Sequence, residues 1–155
     1  MGLIRVMVTI RRVGGGEGDA YAADFLVDTG ATDSMAPATA LRQIGVEPVG
    51  RKAYEHADGS RHEYAFGLGR IELMGEVTAG RVLFGPDDAE PLLGVTALES
   101  IGITIDPASG TLRRLPAIPL KSQRPHATPA IRRYRAASRV STVLRPGPAA
   151  SLSAR

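Results

Sequence analysis

With 155 residues, 43% hydrophobic and 23% charged, the chain has room for one folded domain of ordinary size plus a tail, and is too apolar to be disordered throughout. It contains no cysteine, which excludes a disulfide framework, a thiol nucleophile and a cysteine metal site. The net charge of +3 conceals a split: residues 1 to 106 hold all 16 acids against 9 basic residues, a balance of about −7, whereas residues 107 to 155 hold 10 basic residues and no acid.

In chain order, Leu3 to Ile10 is rich in Val and Ile and is expected to form a strand that ends in a loop built on Gly14, Gly15, Gly16 and Gly18. Tyr21 to Val27 resumes as the second arm of this hairpin and runs directly into Asp28-Thr29-Gly30. Pro37 to Ile44 places Ala36, Ala40, Leu41 and Ile44 at helical spacing, with Ser34 as a possible cap and Gly45 as a stop, so one short helix is expected. Val49 to His56 and His62 to Leu68 flank Ala57-Asp58-Gly59-Ser60, and Asp-Gly between β-prone runs predicts a hairpin with a type I′ turn. Arg70 to Met74 and Val77 to Phe84 continue the β pattern, Leu92-Leu93-Gly94 precedes a second short helix over Val95 to Ser100, and Ile101 to Ile105 turns at Asp106 to Gly110 into a strand from Thr111.

No stretch reaches the roughly 18 apolar residues of a membrane span, so no membrane partner is expected. The apolar run between Met1 and Ile10 is short for a secretory signal and is broken by Arg5. Met1-Gly2 is followed by Val6 where a myristoylation site needs Ser or Thr. The expected compartment is the cytoplasm.

These elements, in this order, resemble the retropepsin-like aspartic proteases, the single-domain group that includes retroviral proteases and bacterial relatives. The resemblance covers roughly residues 3 to 115 and rests on four features: Leu26-Val-Asp-Thr-Gly-Ala31 after a strand, a Gly-tipped hairpin in the middle, the apolar-apolar-Gly element Leu92-Leu93-Gly94, and the helix directly after it. It implies an all-β, closed or partly open barrel of the acid protease type with one or two short helices. It implies an aspartic endopeptidase that hydrolyses peptide bonds in extended polypeptides on the acidic side of neutral pH, with no cofactor and no metal.

Amide hydrolysis needs a water deprotonated while the carbonyl oxygen gains a proton, and two coplanar carboxylates sharing one proton do both. Two negative charges about 3 Å apart at an effective dielectric of 20 repel by roughly 5 kcal/mol, so one of them stays protonated. The motif occurs once here, so Asp28 from each of two chains is expected to form the pair, and a homodimer follows. By the same resemblance, Thr29 is expected to hydrogen-bond across the two-fold axis, and Gly30 to allow close backbone approach. Ala31 and Thr32 are expected along the floor of the substrate cleft, with Ala57, Asp58, Gly59 and Ser60 at the tip of a flap over the substrate. Where the retroviral pattern usually has an Arg after the Gly of the apolar-apolar-Gly element, this chain has Val95-Thr96, so the dimer contact there is built differently.

Plainer readings hold elsewhere. His56 and His62 flank the tip with no third ligand in view and read as solvated strand residues rather than metal ligands. Asp106 precedes Pro107 at a turn and reads as a turn residue, and Asp87, Asp88 and Glu90 read as a solvated acidic face. The domain is expected to span residues 1 to 115. Residues 116 to 155, rich in Pro, Ala and Arg, are expected to form a disordered basic tail, with Arg132-Arg133-Tyr134-Arg135 able to bind nucleic acid or acidic partners by neutralising phosphate. The competing reading is a catalytically weak dimer of the same fold that binds peptide or protein.

Overall fold

The structure is a computed structural model that describes residues 3–106 and 108–117; the expected basic tail lies outside the described residues, apart from its first two positions. Among the described residues, nine strands and two six-residue helices follow in the order β1 (Arg5–Arg12), β2 (Ala20–Asp28), β3 (Ser34–Pro37), α1 (Ala38–Gln43), β4 (Gly50–Glu55), β5 (Arg61–Leu73), β6 (Glu76–Gly85), β7 (Leu92–Gly94), α2 (Val95–Ser100), β8 (Ile103–Asp106) and β9 (Thr111–Arg114). Seven strands form one sheet in the order β1-β2-β7-β3-β6-β5-β4, and a further pairing of β1 with β5 closes the first six into a barrel. Strand β4 hangs from the outer part of β5, and β8 and β9 form a separate hairpin. The expected all-β barrel with two short helices is therefore what the chain adopts.

The core follows from alternation along the strands. In β1, Val8 and Ile10 face inward and are fully buried, and they meet Phe25 of β2, Ile71 of β5 and Leu93 of β7 in one apolar cluster. Burying each such side chain stabilises the fold by about 1.5–3 kcal/mol. Leu41 of α1 and Leu98 of α2 cap the cluster from the two helices. The helices are too short to be stable alone and depend on this packing.

Two pairings place the end of β2. It runs parallel to β7, with Leu26 beside Leu92, Val27 beside Leu93 and Asp28 beside Gly94. On its other side β7 meets β3, which itself runs parallel to β6. Asp28 thus ends a strand held between β1 and β7, and the chain turns sharply over residues 29 to 33 before entering β3.

Several local expectations are corrected. Ser34 is no helix cap: it opens β3, is 2% exposed, and its hydroxyl accepts the backbone N–H of Gly94 at 3.1 Å. Helix α1 instead begins after Pro37, with the carboxylate of Asp87 accepting both the N–H (2.8 Å) and the hydroxyl (2.6 Å) of Thr39 in its first turn. The runs Arg70 to Met74 and His62 to Leu68 are one continuous strand, β5, because Gly69 stays paired with Gly80 of β6. The hairpin between β4 and β5 is not a two-residue type I′ turn. His56 and Ser60 pair across a three-residue loop, Gly59 donates to the carbonyl of His56 at 2.9 Å, and Gly59 alone has positive φ, at 82°. Its two-residue counterpart joins β5 to β6, where Met74 and Gly75 have φ of 50° and 79° and Leu73 pairs with Glu76. The first strand also begins later than expected, at Arg5.

Candidate active site

The loop after β2 is fixed from within and from behind. The carboxylate of Asp28 accepts the N–H of Gly30 on Oδ1 at 2.9 Å, and its carbonyl accepts the N–H of Ala31 at 3.2 Å. A Cβ at position 30 would stand 3.2 Å from that same Oδ1, so the turn is closed most easily with glycine. Behind the loop, Val95 donates to the carbonyl of Ala31 at 2.9 Å and Thr96 to that of Thr32 at 3.2 Å. Gly94 lies so close beneath that a Cβ there would meet the carbonyl carbon and oxygen of Asp33 at 2.5 and 2.6 Å. Leu92-Leu93-Gly94 is thus the strand packed behind the Asp-Thr-Gly loop.

Asp28 opens into a cleft of about 730 Å³ between this loop and the β4–β5 hairpin. Of the residues singled out from the sequence, Asp28, Gly30, Ala31, Thr32, His56, Ala57 and Leu92 line it. Thr29 does not line it and, like Gly30, is exposed. Asp58, Gly59 and Ser60 form the hairpin tip and are not among the residues that line the cleft. At the tip, Asp58 Oδ1 accepts the backbone N–H of Ser60 at 2.9 Å and its hydroxyl at 2.6 Å, and these bonds, side chain first, hold the Asp58 carboxyl below the usual aspartate range.

The structure adds a polar group that the sequence did not disclose. Asp33 has a side chain only 10% exposed, and its Oδ2 accepts the phenol of Tyr54 from β4 at 2.6 Å. Arg81 of β6 approaches the same oxygen at 3.9 Å while its guanidinium lies over the Phe66 ring, 4.8 Å from the centroid. Burial, then the hydrogen bond to Asp33 and its charge, push the Tyr54 phenol up to about 12. These three residues come from separate stretches of chain, and no motif links them. The one signal available was Asp33 itself, an acid set immediately before a residue the fold buries.

Of the remaining titratable groups, His56 and His62 lie with ring centroids 4.7 Å apart, each with Nε2 3.2 Å from a hydroxyl, Tyr64 for the first and Ser60 for the second. No group of three metal-binding side chains gathers among the described residues. Asp106 accepts the N–H of Ala108 at 2.9 Å in its turn. The acidic face of Asp87, Asp88 and Glu90 is more committed than expected: Asp87 serves α1, and Glu90 pairs with Arg5 at 2.6 Å.

Fold and site together define a six-stranded barrel whose Asp-Thr-Gly turn presents one carboxylate to an open cleft below a β-hairpin. No family model and no curated protein matches the sequence. Among solved structures, the chain is similar to the solution structure of Simian Foamy Virus (mac) protease, at 18% identity and a TM-score of 0.44, with 61% of this chain and 91% of that one covered.

Proposed function

We propose that this chain is an aspartic-type endopeptidase that cleaves extended polypeptides as a homodimer, with Asp28 of each subunit sharing one proton and one attacking water. The observation that carries the reading is the placement of Asp28: it ends a strand held between β1 and β7, is oriented by the Gly30 N–H, and faces a cleft large enough for several residues of peptide. One carboxylate per cleft is half of what the chemistry needs. The exposure of Thr29 and Gly30 beside it supports a second subunit packing there, which would bring the two Asp28 side chains together over a common water.

In such a dimer each group has a task. The ionised Asp28 takes a proton from water as the water attacks the peptide carbonyl, while the protonated Asp28 of the other subunit donates to the carbonyl oxygen. Thr29 ties the two turns together through its hydroxyl, and Gly30 holds the carboxylate in plane. Ala31 and Thr32 form the floor along which the substrate main chain lies, and the hairpin from His56 to Ser60 covers it and excludes water.

Asp28→Asn keeps the shape of the side chain and removes its ability to act as a base. On an unfolded protein substrate it is expected to lower the rate about a thousandfold or more while leaving the far-UV spectrum and the melting temperature close to the parent's. Peptidase activity that survives in Asp28→Asn at the parent's rate would exclude Asp28 as the acid, and a parent inert on every unfolded substrate would favour a binding module over an enzyme.

A further inference from the structure

The group formed by Asp33, Tyr54 and Arg81 is built as a tie between two parts of the molecule that have no other reason to be joined. Asp33 belongs to the turn that carries Asp28, and it is anchored there because Thr32, its neighbour, is bonded to Thr96 and the next residue, Ser34, to Gly94. Tyr54 belongs to β4, the arm of the hairpin that pairs only with β5 and otherwise stands free of the barrel. Among the described residues, the bond from the Tyr54 phenol to Asp33 Oδ2 is the one side-chain hydrogen bond between the β4–β5 hairpin and the turn over residues 28 to 33.

A carboxylate that is nine-tenths buried must be compensated, and the compensation here has two sources. Arg81 supplies charge but sits at 3.9 Å, held back by its place over Phe66. Tyr54 supplies the short bond, and a hydrogen bond to an ionised acceptor is the stronger kind. Lifting the hairpin arm away would leave Asp33 with the distant guanidinium alone. The phenol remains a donor throughout the range in which a carboxylate pair works, since its own ionisation lies near 12. The tie also reaches the second arm of the hairpin, because the Tyr54 ring meets Tyr64 of β5 edge-on at 6.2 Å, and Tyr64 in turn stacks on His56 at 6.0 Å.

We infer that Tyr54 and Asp33 are positioning residues that latch the loop-side end of β4 to the Asp28 turn, holding the cleft preformed for an extended peptide while the loop beyond His56 stays free to admit it. The inference rests on the proposed peptidase reading for its effect on substrate, but the latch itself is a property of the fold. A preformed cleft spares the substrate the cost of ordering the hairpin, so the latch acts on binding and leaves the chemical step unchanged.

Tyr54→Phe removes the hydroxyl and keeps the ring packed, and it is tested in the whole chain with two readouts. With an extended peptide substrate, KM is expected to rise about tenfold while kcat stays within about twofold. By hydrogen exchange, the amides of residues 51 to 66 are expected to exchange about tenfold faster, with those of β1 and β2 unchanged. Asp33→Asn keeps an acceptor for the phenol and loses the charge, so it is expected to fall between parent and Tyr54→Phe on both. Hairpin exchange in Tyr54→Phe at the parent rate overturns the latch, and so does an increase spread evenly over the barrel, which would report general loosening. If the parent cleaves no peptide, the peptidase reading fails while the exchange pattern still decides the latch. If the parent is active and hairpin exchange quickens with KM unchanged, the assigned role in substrate binding is wrong.

Discussion

Gly94 shows how a single position ties fold to site. Its backbone passes beneath Asp33 and Thr32, and an added Cβ would lie 2.5 Å from the carbonyl carbon of Asp33, 2.6 Å from its oxygen and 2.8 Å from the oxygen of Thr32. All three are backbone atoms, which cannot swing aside as a side chain would. Gly94→Ala must therefore push the Asp28 turn away from β7 and strain the bonds from Val95 and Thr96. It is expected to cost about 3 kcal/mol in a denaturant titration, and to lower peptidase activity by more than the lost stability explains. A Gly94→Ala chain as stable and active as the parent would mean the contact is not as close as described. Its partner Ser34 was misread from sequence for a physical reason. A hydroxyl ahead of an apolar helical run serves equally as a cap or as an internal acceptor, and the N–H that claims it comes from a residue sixty positions away.

At the level of elements, the sequence disclosed those whose signals are local. The apolar run Phe25-Leu26-Val27 ending in Asp28, the helix after Gly94 and the hairpin around Asp58-Gly59 each carry their pattern within a few residues, and each stands where it was expected. Strand β3 did not announce itself: four residues ending in proline have too little periodicity, and it exists because β6 and β7 flank it. The details of the hairpin turn also escaped, since Asp-Gly suits both loop types and the pairing of His56 with Ser60 decides between them. Helix α1 carries a pH dependence that follows from its unexpected cap. The hydroxyl of Thr39 and then its N–H hold the Asp87 carboxyl below the usual aspartate range. A lowered folded-state value means that the cap's contribution is fully present above the unfolded aspartate range and is lost as pH falls through the folded value. Asp87→Asn is thus expected to melt earlier than the parent at neutral pH, with the gap narrowing as the pH is taken below the ordinary aspartate range. A gap that widened on acidification would contradict the assignment.

For the molecule as a whole, what sequence could not disclose is assembly in space. The cleft is composed from the Asp28 turn and strands β3 to β7, and the trio of Asp33, Tyr54 and Arg81 becomes a unit only once those strands have paired. The proposed reaction adds one more level, since a single barrel presents one Asp28 and the chemistry requires two. The measurement that bears on this most directly joins sedimentation with activity over a dilution series of the full chain at mildly acidic pH. Peptidase activity per mole of chain is expected to track the fraction sedimenting as dimer and to vanish with it on dilution. A species that sediments as monomer and still cleaves peptide at the undiminished rate would contradict the shared pair.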